Sequence, residues 1–126
     1  MRDIDRTLDV ERDPVAQGFE GEAYDLIVAA NVIHATKDLS VTIQNIRRQL
    51  KPSGKLILVE VTRLDLLHVG FAFGLLPGWW LSSEEYRTRS PCVSEAKWNE
   101  ILKENSFSGK SLSSRITKAT LAMCTV

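Results

Sequence analysis

Two short apolar runs, Tyr24-Asp-Leu-Ile-Val-Ala-Ala30 and Lys55-Leu-Ile-Leu-Val-Glu-Val61, flank a stretch with a different period. Apolar runs of this length predict buried strands, apolar on both faces as central parallel strands are. Between them, Leu39, Ile43, Ile46 and Leu50 recur at helical spacing and form one apolar stripe. Asp38 can cap the start of that helix, while Arg47 and Arg48 suit the negative end of its dipole. Lys51-Pro-Ser-Gly54 stops the helix and turns the chain. Strand, helix and strand together predict a right-handed crossover between parallel neighbours.

The flanks are less regular. Residues 6–10 are a weak strand candidate, followed by turn and loop at Asp13-Pro14 and from Gly18 to Gly21. Residues 64–93 form an aromatic, glycine-rich insertion that fits neither period. Ser94 can cap a helix with Trp98, Ile101 and Leu102 on one face, and residues 110–117 and 119–126 read as a final hairpin. No repeat or linker divides the chain, so residues 1–126 are expected to form a single α/β domain.

Composition narrows the function classes. The chain is 44% hydrophobic and 25% charged, as ordinary globular proteins are. Sixteen basic residues balance sixteen acidic ones, so nothing electrostatic recruits nucleic acid or an anionic membrane. The longest apolar stretch, residues 64–80, is broken by Asp65, His68, three glycines and Pro77, too interrupted to span a bilayer. Charged residues follow Met1, so no secretory leader is expected, and Cys92 and Cys124 have neither metal-ligand nor disulfide spacing. A cytoplasmic setting is the expectation.

The candidate chemistry lies at the ends of the two strands. Open α/β sheets bind ligands outside the carboxyl ends of their strands. Neighbouring strands lie about 4.8 Å apart, so His34, just past the first, and Glu60, ending the second, can meet. In such a pair the carboxylate fixes the ring's tautomer, leaving the other nitrogen to take a proton from substrate. A carboxylate inside Leu-Ile-Leu-Val-Glu-Val is rarely buried without a partner. From position alone, Glu60 capping a loop beside a satisfied histidine is an equal reading. His68 reads as a packing residue, and Cys92 lacks an activating base. Trp79 and Trp80 can line a substrate pocket, with a core role favoured for one of them, and Asp9 alone means nothing. No glycine-rich nucleotide-cradling turn occurs in the chain.

At these residues the sequence resembles the C-methyltransferase domain of fungal highly reducing polyketide synthases. The matching stretches include Leu8-Asp-Val-Glu-Arg-Asp-Pro14, Tyr24 to Thr36 with its Asn-Val-Ile-His-Ala-Thr run, Leu50-Lys-Pro-Ser-Gly-Lys-Leu56, Phe73-Gly-Leu-Leu-Pro-Gly-Trp-Trp-Leu81 and Phe107-Ser-Gly109. The resemblance implies a Rossmann-like class I methyltransferase fold using S-adenosylmethionine. It also implies a His–Glu pair, here His34 and Glu60, that deprotonates the α-carbon of a β-ketoacyl chain on an acyl carrier protein. By the same resemblance, Asp9 and Val10 match the adenine contact, and Asn31 with the backbone at Ala30 matches the loop near the methionine part. Residues 64–93 then form a substrate-side insertion.

Departures from the family's pattern matter too. The family's glycine-rich cofactor strand and its ribose-binding acid come before the stretch seen here, so the fold is expected to be incomplete. Tyr24–Ala30 would then lie at a sheet edge, open to the missing N-terminal half or to self-association. Ser53 stands where the family often has glycine, and Asn105-Ser106 replaces its usual Ala-Gly. A non-catalytic remnant or interaction module, and an oxygen or nitrogen methyltransferase acting on a small free molecule, are the alternatives.

Overall fold

The computed structural model describes residues 6–63, 67–108, 110–116 and 119–125; within these, the side chains of 67–69, 110–116 and 119–123 are not described. The His68 side chain thus lies outside the described residues. Strand β1 (Tyr24–Ala30) leads through a 3-10 turn (Ile33–Ala35) into helix α1 (Leu39–Gln49) and strand β2 (Leu50–Glu60). A short helix, α2 (Leu67–Phe73), and two further 3-10 turns (Pro77–Trp80 and Glu85–Arg87) precede helix α3 (Glu95–Glu104). Strands β3 (Lys110–Ile116) and β4 (Ala119–Thr125) close the chain as an antiparallel hairpin.

The sheet order is β1-β2-β4-β3, with β1 parallel to β2 and β4 antiparallel to it. Helices α1 and α3 carry the caps their sequences predict: Asp38 accepts from Val41 N and Ser94 from Lys97 N. Leu39, Ile43 and Ile46 of α1 join Trp98, Ile101 and Leu102 of α3 over Ala29, Leu56 and Leu58 of the sheet. Alternation decides which strand residues reach that core, because successive side chains point to opposite faces. Gly54, Leu56, Leu58 and Glu60 form one buried row along β2.

Three expectations need correction. Residues 6–10 are not a strand. They are loop, tied down by Gln17, whose amide bonds the Asp9 backbone in both directions at 2.9 and 2.8 Å, and by Arg6 donating to the Gln17 and Gly18 carbonyls. The turn at Lys51-Pro-Ser-Gly54 does not simply separate helix from strand. Leu50 already pairs with Tyr24, the chain bulges out, and pairing resumes at Leu26 with Lys55. Ser53 takes the left-handed conformation there (φ 64°), a region that glycine enters without steric cost. Finally, β1 is not buried on both faces. It pairs only with β2 among the described residues, and Tyr24, Leu26 and Val28 are exposed.

Candidate functional site

Asn31 ends β1 with a left-handed backbone (φ 51°), a conformation that asparagine tolerates better than most residues. Its amide donates to the Val59 carbonyl at 2.8 Å, continuing the ladder one residue beyond the strand. The chain then turns under the end of β2, where Glu60 is the next member of the buried row after Leu56 and Leu58. That row leaves the carboxylate 1% exposed, so it must find donors. It finds three. Oε1 accepts the Ile33 amide at 2.9 Å and the His34 amide at 3.4 Å, and Oε2 lies 2.6 Å from His34 Nδ1. A carboxylate on Nδ1 places the ring proton there, which leaves Nε2 as a proton acceptor. Nε2 has no protein partner among the described residues.

The imidazole lines a cavity of about 470 Å³ together with Asn31, Val61, Cys92, Phe73, Leu76 and Trp79. Trp79 is buried and meets the His34 ring edge-on at 5.4 Å, while Phe73 stacks on Trp79 at the same separation. Trp80 is turned elsewhere: it is exposed, and its indole N–H donates to the Gly74 carbonyl at 2.8 Å. Of the two tryptophans, only Trp79 lines the cavity. Burial, with the charge of Glu60 second, pushes the Cys92 thiol up to about 11, so it is protonated at neutral pH and no nucleophile.

Asp9 and Val10 lie apart from this cavity. Asp9 borders a smaller polar cleft of about 320 Å³ with Glu11, Arg12, Lys37, Asp38 and Val41. Val10 is half-buried against the core, and its carbonyl accepts from Asn45 Nδ2 at 2.9 Å. Ala30 itself is exposed at the strand end. No group of three or more potential metal ligands occurs among the described residues, and no described helix is long and apolar enough to cross a membrane.

One pair of residues escaped sequence reasoning. Arg87 is 2% exposed and pairs with Glu84, with its other donors on backbone carbonyls around His34. In Ser-Glu-Glu-Tyr-Arg-Thr-Arg such charges read as solvated. The only local signal is the i,i+3 spacing of opposite charges on a segment whose period gives no helix.

The chain is 55% identical over 105 residues to the highly reducing polyketide synthase azaB of Aspergillus niger, covering 83% of this chain and 4% of that protein. It thus spans a small part of the curated relatives it matches. Among solved structures, the trans-methyltransferase CalH in complex with SAH superposes with a TM-score of 0.87 at 39% identity, covering 96% of this chain and 35% of CalH. The CurJ carbon methyltransferase follows closely, with a TM-score of 0.86 at 36% identity over 95% of this chain and 34% of that one. Both likenesses give the sheet the class I methyltransferase fold, present in part. A family model described as a methyltransferase domain matches residues 3–112, and on that match the chain belongs to the methyltransferase domain family.

Proposed function

We propose that this chain supplies the acid–base half of a carbon methyltransferase acting on the α-carbon of a β-ketoacyl thioester carried by an acyl carrier protein. The observation that carries this reading is the His34–Glu60 pair, 2.6 Å apart at adjacent carboxyl ends of parallel strands and opening on an apolar cavity. A carbon acid between two carbonyls needs a base and shelter from water; the His34–Glu60 pair supports the first and the apolar lining of the cavity the second. Glu60 holds the ring in the Nδ1–H tautomer and stabilises the imidazolium as it forms. Nε2 takes the α-proton, and the electron pair moves into the substrate's enolate. Phe73, Leu76 and Trp79 give the cavity an apolar wall that limits the water around the enolate carbon, so that methyl transfer can compete with its reprotonation.

S-adenosylmethionine, when bound, supplies an electrophilic methyl group at this edge. The residues present fit part of it. Asn31, which lines the cavity with His34, and the backbone at Ala30 would hold the methionine end. The exposed carboxylate of Asp9 and the side chain of Val10 would hold the adenine. The chain has no G-x-G-x-x-G turn for the remainder, so tight binding calls for residues from outside this stretch. Trp79, and not Trp80, borders the acyl chain's approach.

The test uses a complete methyltransferase domain that contains this sequence. It should methylate a β-ketoacyl thioester at carbon and leave phenol and amine acceptors untouched. Transfer to a phenol or amine in preference to the thioester would overturn the reading in favour of an oxygen or nitrogen methyltransferase.

A further inference from the structure

The geometry points to Arg87 as a positioning residue for the base, a role that rests on the reading of His34 above. Its guanidinium is sealed from solvent, and every donor on it is engaged. Nη1 donates to the His34 carbonyl at 2.9 Å and to the Pro91 carbonyl at 3.2 Å; Nη2 donates to the Thr36 carbonyl at 2.7 Å and the Lys37 carbonyl at 3.0 Å. Nε and Nη2 also meet the Glu84 carboxylate. Glu84 in turn accepts the Leu39 amide at 3.1 Å, at the first residue of α1. Ser83 adds two bonds to the Lys37 carbonyl, at 3.0 Å from its amide and 3.1 Å from its hydroxyl.

Residues 31–38 need such a clasp. They contain a single 3-10 turn, in which Ala35 and Thr36 use the carbonyls of Val32 and Ile33, so those of His34, Thr36 and Lys37 have no partner within the turn. A buried charge is costly, and one carboxylate would suffice to neutralise it. Arg87 does more than that, because a planar fork with five donors can bridge several carbonyls at once, which a lysine cannot. The outcome at His34 is specific. Its amide and Nδ1 are fixed by Glu60 from the sheet side, and its carbonyl is fixed by Arg87 from the other. Only Nε2 is left toward the cavity. Through the Pro91 carbonyl the same guanidinium also sets the backbone that brings Cys92 to the cavity wall.

The base step can be read without methyl transfer. In D2O, Nε2 removes the α-proton of a β-ketoacyl thioester and solvent deuterium returns to the carbon. In the complete domain, Arg87→Lys keeps the charge opposite Glu84 and loses the fork. Misplacing a base by a fraction of its reach should lower both α-exchange and kcat by about 10- to 100-fold, with KM for thioester and S-adenosylmethionine within about threefold of wild type. A second variant, Arg87→Met with Glu84→Leu, removes both charges together, since replacing a whole buried ion pair is tolerated better than breaking it. It should show the same loss of exchange. A folded variant of either kind that binds S-adenosylmethionine and exchanges at the wild-type rate would overturn the positioning role and leave the proposed function standing. Wild-type protein that neither exchanges nor methylates the thioester would overturn the proposed function itself.

Discussion

The two faces of one sheet carry similar residues and meet opposite fates. On one face Ala29, Leu56 and Leu58 are 5%, 0% and 2% exposed beneath α1 and α3; on the other Tyr24, Leu26 and Val28 are 43%, 49% and 60% exposed. Both sets are apolar and both belong to parallel strands, which are normally covered on both sides. The difference teaches where the chemistry comes from. Glu60 shares parity with Leu56 and Leu58, so it inherits their burial and is forced to find donors in the turn that holds His34. On the opposite parity a glutamate would be solvated and would hold nothing in place. The site is thus a consequence of the covered face, while the exposed one holds no comparable group in place among the described residues.

The largest effect should come from the covered face's polar end. In a complete domain, His34→Ala should lower carbon methylation by about 10²–10⁴-fold, the usual scale for a lost general base. Glu60→Gln should cost less, because the ring stays near its place with its tautomer no longer fixed. Steady-state turnover of a β-ketoacyl thioester checks both, and rates within a few-fold of wild type would detach the pair from catalysis.

Stability gives the next contrast. Leu58→Ala removes a fully packed side chain and should cost about 2–5 kcal/mol. Val28→Ala, on the open face, should stay within about 0.5 kcal/mol, as surface changes usually do. Urea unfolding of the 126-residue chain reads both. Equal losses would mean that something covers β1 after all, and the contrast between the faces would collapse.

A smaller effect concerns association. The free edge of β1 and the side chains of Leu26 and Val28 together offer backbone donors and apolar surface to another chain. Leu26→Lys with Val28→Lys should shift the chain toward monomer by light scattering without lowering its melting temperature much. A wild-type chain that is already monomeric at high concentration would remove the edge as an association site. The same chain should bind S-adenosylmethionine only weakly, given the missing glycine-rich turn, and low-micromolar binding by calorimetry would contradict that.

Much of this was legible in the sequence, and the gaps have a common cause. Periodicity located α1 and α3, capping residues marked their starts, and the two apolar runs placed His34 and Glu60 at neighbouring strand ends. These are local signals. What the sequence did not disclose depends on distant partners. The apolar run 24–30 says that the strand tolerates burial, but not whether another element covers it. Residues 6–10 alternate weakly, yet the Gln17 amide satisfies the Asp9 backbone and Arg6 reaches past it, so no ladder forms. Arg87 reads as a surface charge because the carbonyls it serves are about 50 residues upstream. Trp79 and Trp80 are chemically identical neighbours, and only the 3-10 turn at Pro77–Trp80 sends one inward and the other out.

The smallest expected effect probes whether the covered face is sealed at its catalytic end. Cys92 borders the cavity with His34, and burial first, then the Glu60 charge, raises its thiol from 9.0 to about 11. The folded value lies above the unfolded one. This thiol's contribution to stability is therefore complete below pH 9 and fades as pH rises toward 11. Cys124, raised to about 11 by burial alone, behaves in the same way. At pH 8 only about one Cys92 in a thousand is thiolate, so iodoacetamide should modify it far more slowly than it modifies the unfolded chain. Peptide mass spectrometry over a time course, native against urea-unfolded, gives the ratio. Filling the cavity with a β-ketoacyl thioester should slow the native rate further, whereas raising pH from 8 to 10 should restore it steeply. A native rate matching the unfolded one would mean that water reaches this wall freely. The dry environment asked of the enolate would then be missing, whatever His34 and Glu60 do.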